Sequence, residues 1–288
     1  MDGCAGQRLG EGPDLKRLLR IVDATGSTND DVLALAEEGA SEGTAVCARR
    51  QRIGRGRRGH SWISPPGGLY LSVLLRPSAD ECMSSGLPAA VALAALDALQ
   101  ALGAEHVLLK WPNDIVLASP SDPLAKLGGI LVESRGAGSK AWHAVAGIGL
   151  NLVRPERESI VPARVHDGMA APLAAGYLED AMCGPAPDLL GTGFSDLAEH
   201  MAVSIVSGSR KWAEAVSPRE GPLAPLKDAY ERKLAFRGDE VIALSPAGEM
   251  LARGRFAGID SWGRARVESC GAAGQAFLPE EASLRPCR

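Results

Sequence analysis

Six arginines and three glycines crowd the segment Arg49-Arg50-Gln51-Arg52-Ile53-Gly54-Arg55-Gly56-Arg57-Arg58-Gly59. Guanidinium forks make paired hydrogen bonds to carboxylates and phosphates, and glycines let a ligand approach the backbone. The pattern therefore suits an anion site. It also fits G-x-G-x-x-G, the dinucleotide fingerprint, which needs a helix that begins in the loop and covers the pyrophosphate. The sequel, Trp62-Ile63-Ser64-Pro65-Pro66-Gly67-Gly68, cannot continue a helix, so Asp80 at a suitable distance downstream counts for little. There is no G-x-x-x-x-G-K-[ST] loop either. The plain alternative is a solvated basic turn or a nucleic-acid patch.

Two later segments weigh against that alternative. In Lys110-Trp111-Pro112-Asn113-Asp114 the proline bends the chain, and Asn113 and Asp114 can bond their own backbone. Lys126-Leu127-Gly128-Gly129-Ile130-Leu131-Val132-Glu133 sets a lysine at the mouth of a strand, beside glycines that permit close approach. Taken alone, that lysine fits a snorkelling edge position equally well. Lysine is scarce, however, with 7 against 24 arginines, and two of the seven lie in these segments.

These residues need elements to position them. Residues 25–39 read as a turn into a helix, with Thr28 and Asp31 at capping-box spacing and Gly39 closing the end. Strands are expected at 44–48 and 69–75, then a buried helix at 88–102. Further strands fall at 107–111, 115–117, 129–133 and 144–150. The stretch 154–188 is rich in Pro, Ala and Gly and reads as irregular; 189–216 and 223–234 read as helical. Past Phe236 come short strands at 240–244, 250–256, 264–268 and 275–278, separated by turns. The expectation is an α+β chain: a mixed β-sheet flanked by helices over 1–235, and a small barrel-like β domain over 236–288.

The totals exclude several classes. At 288 residues and 45% hydrophobic, the chain can bury a core without disulfides or a structural metal. A net charge of −4 disfavours a general nucleic-acid binder, which would be basic overall. Cysteines 4, 47, 82, 183, 270 and 287 and histidines 60, 106, 143, 166 and 200 show no metal-ligand spacing, so no metal site is assigned. Free thiols, a leader-less start and an apolar run too short for a bilayer point to a cytoplasmic protein with no membrane partner.

Read in order, Ser27-Thr28-Asn29, then Q-x-x-G-R-G-R-x-G from Gln51, Trp62-Ile63-Ser64-Pro65, K-W-P-N-D from Lys110, K-L-G-G-I-L-V-E from Lys126, and Gly147-Ile148-Gly149-Leu150-Asn151 resemble the biotin–protein ligases. The match is strong over about residues 20–153 and resumes weakly at 230–234, 258–260 and 283–285. The resemblance implies a catalytic domain related to class II synthetases and a C-terminal SH3-like barrel. It implies ATP and biotin as substrates with Mg2+, a biotinyl-5′-AMP intermediate, and transfer to a lysine of a biotin carboxyl carrier domain. Carried onto this sequence, Arg57 and Lys126 would be catalytic, around the carboxylate and α-phosphate. Ser27, Thr28, Asn29, Gln51, Arg55, Gly56 and Trp62, with Arg57 and Lys126, would bind biotin. Trp111, Asn113, Asn151 and Arg285, with Arg57, would bind the nucleotide: Trp111, like Trp62, as an apolar wall, Asn113 with Asn151 also fixing its magnesium, and Arg285 closing over it. Gly26 stands where the family usually has an acidic residue. About twenty residues precede the catalytic region, too few for the DNA-binding domain of some members, so no DNA is expected. The rivals are a lipoate or octanoate ligase and a non-catalytic nucleic-acid-binding module.

Overall fold

The computed structural model describes residues 18–118, 124–136, 142–155, 173–183, 187–269 and 274–287. Its first sheet has seven strands: β1 (Leu19–Val22), β2 (Ala45–Ala48), β3 (Gly68–Leu75), β4 (Val107–Lys110), β5 (Asp114–Leu117), β6 (Ala125–Arg135) and β7 (His143–Asn151). They lie in the order β1-β2-β3-β7-β6-β5-β4, with β1 parallel to β2 and the other neighbours antiparallel. The sheet is mixed, as the sequence suggested.

Strand alternation divides this sheet into two faces. Leu69, Leu71, Val73 and Leu75 of β3, with Ala144, Ala146, Ile148 and Leu150 of β7, enter the main core. There they meet α2 (Leu87–Ala101) and α3 (Thr192–Ala215), which pack on each other. Residues 81–101 are long and apolar enough to cross a bilayer by composition, and most of that stretch is packed inside the molecule. On the other face α1 (Thr28–Glu37) covers only part of the sheet, through Val32 and Ala36 against Val46, Leu74 and Val145. Beside α1 that face carries Ser72, Gly129, Gly147 and Gly149, and it is there that the cleft opens.

The second sheet is antiparallel, in the order β11-β10-β9-β8-β12, formed by β8 (Glu240–Leu244), β9 (Met250–Ile259), β10 (Ala265–Glu268), β11 (Gln275–Phe277) and β12 (Ser283–Pro286). Its alternate residues Val241, Ala243, Phe256, Val267 and Leu284 are buried, giving a small barrel-like unit whose core is continuous with the first. Backbone and side-chain hydrogen bonds fasten the two units. The Trp111 indole donates to the Gly263 carbonyl (3.0 Å), the Leu223 amide to Ser261 (2.8 Å), and the Ile259 amide to Glu231 of α4 (Lys227–Arg232) (3.0 Å).

Several expectations shift in detail. Strands β1 and β12 are additions, each only four residues long and too short to carry a periodic signal. The strand expected at 129–133 runs from Ala125 to Arg135, because its neighbours β5 and β7 extend the ladder. The helix expected over 223–234 shrinks to Lys227–Arg232. The capping box does not form. Ser27 takes the cap position without a side-chain bond, the Thr28 hydroxyl turns to Gln51, and Asp31 accepts from Thr25 Oγ1 (2.6 Å). Gly39 does adopt φ +89 just past the helix. Residues 156–172 and 184–186 of the stretch expected to be irregular, residues 270–273 of a turn, and Cys4, Cys270 and His166 lie outside the described residues. Among the described residues Cys47, Cys82, Cys183 and Cys287 are free thiols, and burial pushes Cys47 up to about 12.

Candidate active site

The cleft is floored by β6 and β7, which present glycines to it at 129, 147 and 149. A Cβ on Gly149 would stand 2.7 Å from the Trp62 indole nitrogen, and one on Gly129 would stand 3.4 Å from the same ring. Glycine at these positions therefore lets Trp62 pack closely against β6 and β7. The indole N–H is buried and has no hydrogen-bond partner. Above the ring, 5.0 Å from its centroid, sits the Lys126 ammonium, an attraction of cation to π-face.

At one end a polar network is complete within the protein. The Thr28 amide and hydroxyl both donate to Gln51 Oε1 (2.8 and 3.1 Å), and Gln51 Nε2 donates to Ser64 Oγ (3.0 Å). Ser72 Oγ lies 2.8 Å from Thr28 Oγ1 and 2.6 Å from Asn29 Oδ1. Asn29 Nδ2 donates to Glu133 Oε2 (2.8 Å), which fixes the amide orientation. Glu133 Oε1 receives Arg55 Nη2 (2.5 Å), while Arg55 Nη1 pairs with Asp30. Arg55 thus lines the cleft with its charge matched by two carboxylates. Ser27, Thr28 and Asn29 are all buried, so the network is rigid.

At the other end cations dominate. The three-residue turn after β4 sets Lys110 directly opposite Asp114 across the β4–β5 pair. Lys110 Nζ lies 3.1 Å from Asp114 Oδ2, and Lys126 Nζ lies 2.6 Å from Asp114 Oδ1. Lys126 reaches that position because β6 bulges: Ile115 pairs Gly128 and Val116 pairs Lys126, leaving Leu127 out of the ladder. Bulges commonly re-aim a side chain in this way. Burial alone would raise the Asp114 carboxyl, but the two lysines hold it down to about 2. Burial lowers Lys110, and Arg285 and Lys126 lower it further, against the pull of Asp114.

The Arg/Gly loop closes this end as a tight hairpin. Arg55 bridges Ser61, the Gly56 amide donates to His60 (2.7 Å), and Arg58 (φ 56) with Gly59 (φ 74) makes the left-handed turn. Arg57 points inward, its guanidinium lowered chiefly by burial, and pairs with Glu280 on the far rim (3.2 Å). Arg58 donates to the carbonyls of Pro279 and Ala282 (3.5 Å for the latter), so the loop is latched to the C-terminal unit.

Of the expected residues, Ser27, Thr28, Asn29, Gln51, Arg55, Gly56, Arg57, Trp62, Asn113, Lys126 and Arg285 line one cleft. Trp111 and Asn151 stand outside its lining. The Trp111 ring is buried in the core between the two sheets, tied to Gly263, and so is not an apolar wall. Asn151 Nδ2 donates to the Lys126 and Gly176 carbonyls (3.2 and 3.1 Å), fastening the backbone that carries Lys126. Lys110, Ser72 and Glu133 were given no role from the sequence. Lys110 and Glu133 sit in the quoted motifs, whereas Ser72 shows only as a hydroxyl interrupting an apolar strand. No group of three or more His, Cys, Asp or Glu that could hold a metal occurs among the described residues.

Known proteins resemble this chain in sequence and fold. The model of the biotin/lipoate A/B protein ligase family matches residues 22–151. A biotin–[acetyl-CoA-carboxylase] ligase of Paracoccus denitrificans is 33% identical over 261 residues, covering 90% of this chain and 97% of that protein. The bifunctional ligase/repressor BirA of Escherichia coli (strain K12) is 39% identical over 146 residues, 50% of this chain and 43% of that protein. Among solved structures, a biotin protein ligase from Aquifex aeolicus in complex with biotin and ATP superposes with a TM-score of 0.71 at 26% identity, covering 93% of this chain and 99% of that one.

Proposed function

The chain belongs to the biotin protein ligase family, and we propose that it activates biotin with ATP and transfers it to a lysine of a biotin carboxyl carrier domain. ATP-dependent biotinylation is the family's activity. The observation that carries the residue assignment is the pairing of opposite ends within one cleft. An end whose charges pair with one another within a hydrogen-bonded network suits an uncharged head group, and a cation-rich end suits two anions that must approach each other.

In this reading the biotin ring lies over the Gly147–Gly149 strand beside Ser27, Thr28, Asn29 and Gln51. A biotin carboxylate oxygen attacks the α-phosphorus, the bond to the β-phosphate breaks, and pyrophosphate leaves. Lys126 bridges carboxylate and α-phosphate, and Arg57 neutralises charge that builds on the phosphoryl oxygens. Asn113 and Arg285 face the nucleotide. A carrier lysine then attacks the acyl carbon and AMP departs. Magnesium fits as the counter-ion of the triphosphate, which supplies oxygen ligands, since the one carboxylate beside the lysines is fully engaged. We place the domain boundary at 235/236, where the chain leaves the β4 edge for β8, and the protein in the cytoplasm.

The test is incubation with ATP, magnesium and either biotin or lipoate, following pyrophosphate release and labelling of an apo carrier. Biotin-dependent pyrophosphate and carrier labelling are expected. Lipoate-dependent release would favour the lipoate reading, and salt-sensitive nucleic-acid binding without turnover would favour the non-catalytic one.

A further inference from the structure

Lys110 is 2% exposed, its side chain more buried than that of Asp114, yet it still lines the cleft. A buried ion pair is a poor stabiliser, because taking two charges out of water costs more than most geometries return. Here the arrangement is more demanding still. One carboxylate faces two ammonium groups, with Arg285 also near, so cations exceed anions. A fold needing only to fill this space would do as well with an apolar side chain. The geometry does achieve one thing. With Oδ2 held at 3.1 Å by Lys110, the carboxylate cannot rotate freely, and Oδ1 is presented to Lys126 at 2.6 Å.

We propose that Lys110 is a positioning residue for adenylate formation: it anchors Asp114 so that Asp114 holds the Lys126 ammonium over the Trp62 ring, where carboxylate and α-phosphate meet. The proposal rests on the ligase reading above. Lys110 touches no reacting atom in it. Its effect passes through Asp114, so Lys110 is silent once Asp114 no longer holds Lys126.

Biotin-dependent ATP–pyrophosphate exchange by the wild-type chain comes first; its absence refutes the ligase reading and leaves Lys110 out of account. Given exchange, the variants are Lys110→Met (similar length, no charge), Asp114→Asn and the double substitution, each in the full chain. Lys110→Met is expected to lower kcat for exchange about tenfold or more, the scale of one lost charge-assisted bond, with KM for biotin changed less than about twofold. In the Asp114→Asn background the same substitution should add less than about twofold, because the linkage is already cut. Independent, multiplicative effects of the two substitutions would overturn the proposal, as would an unchanged kcat in a folded Lys110→Met protein. If Lys110→Met fails to fold, nitrogen-15 spectra of the lysine ammonium groups decide. A slowly exchanging Lys126 ammonium in the wild type, lost in Asp114→Asn, is the expected outcome. A rapidly exchanging one in the wild type counts against it.

Discussion

The two ends of the cleft are built on opposite principles. At the Ser27–Asn29 end polar side chains pair with one another: Gln51 takes up Thr28, Ser72 joins Thr28 to Asn29, and Glu133 ties Asn29 to Arg55. At the Lys126 end Arg57, Lys110, Lys126 and Arg285 gather around Asp114, with the exposed Glu280 across the rim pairing Arg57. In the proposed function the first end recognises a head group by shape and hydrogen bonds, and the second is a cation-rich cluster that an anionic ligand would complete. Head-group affinity should therefore survive changes that abolish chemistry, and the reverse should also hold.

The strongest test of that contrast is Lys126→Ala. Loss of one donor aimed at developing charge lowers kcat about 10²–10³-fold. Single-turnover adenylation should fall by that much while biotin affinity without ATP changes less than about fivefold; an equal loss of both would merge the two ends into one. Arg57→Gly comes next. The adenylate should dissociate about tenfold or more faster, read by chase experiments, since a hydrogen bond to a charged group contributes about 1.5–3 kcal/mol. Gly149→Ala probes the floor. Its methyl group would meet the Trp62 indole at 2.7 Å, so biotin affinity should drop by an amount equivalent to about 1–3 kcal/mol, with the KM for ATP affected less.

A pH series addresses the anion in the cation cluster. Asp114 is depressed in the folded chain to about 2 from an ordinary 3.8, so it adds stability above pH 4 that disappears as pH falls through 2. The difference in urea midpoint between wild type and Asp114→Asn should be flat from pH 5 to about 8 and shrink below pH 4. A difference that shrinks near neutral pH would contradict an ionised Asp114. The smallest effect belongs to Glu280→Gln. An exposed pair contributes at most about 1 kcal/mol, so freeing Arg57 should lower the KM for ATP by about fivefold at most.

Much of this was legible because strand period and glycine spacing are local signals. The apolar run 69–75, set off by the turn before it, gave β3, which is buried along its whole length, and the Lys126 segment announced a strand that a ligand could approach. That no α-helix follows the Arg/Gly loop was legible from Pro65, Pro66, Gly67 and Gly68. Other features depend on partners distant in sequence. Glu133 meets Asn29 across 104 residues, and Trp111 meets Gly263 across 152. No local pattern says that one tryptophan of a motif pair lies in the cleft and the other in the core. The Leu127 bulge, which turns Lys126 inward, is fixed by the register against β5 and has no sequence mark of its own. Strands of four residues at the sheet margins, such as β1 and β12, are likewise decided by their neighbours.

The indole of Trp62 gives the cleft an optical voice. Of five tryptophans, Trp111, Trp142 and Trp212 are buried and hydrogen-bonded to carbonyls, and Trp262 is exposed in the second unit. Trp62 alone lies beneath an ammonium, with its N–H waiting. An acceptor that arrives at that N–H, or an anion that draws Lys126 aside, changes the field along the ring. Its emission should shift while the other four stay constant. The occupancy of the cleft can thus be followed in unlabelled protein, with Trp62→Phe as the silent control.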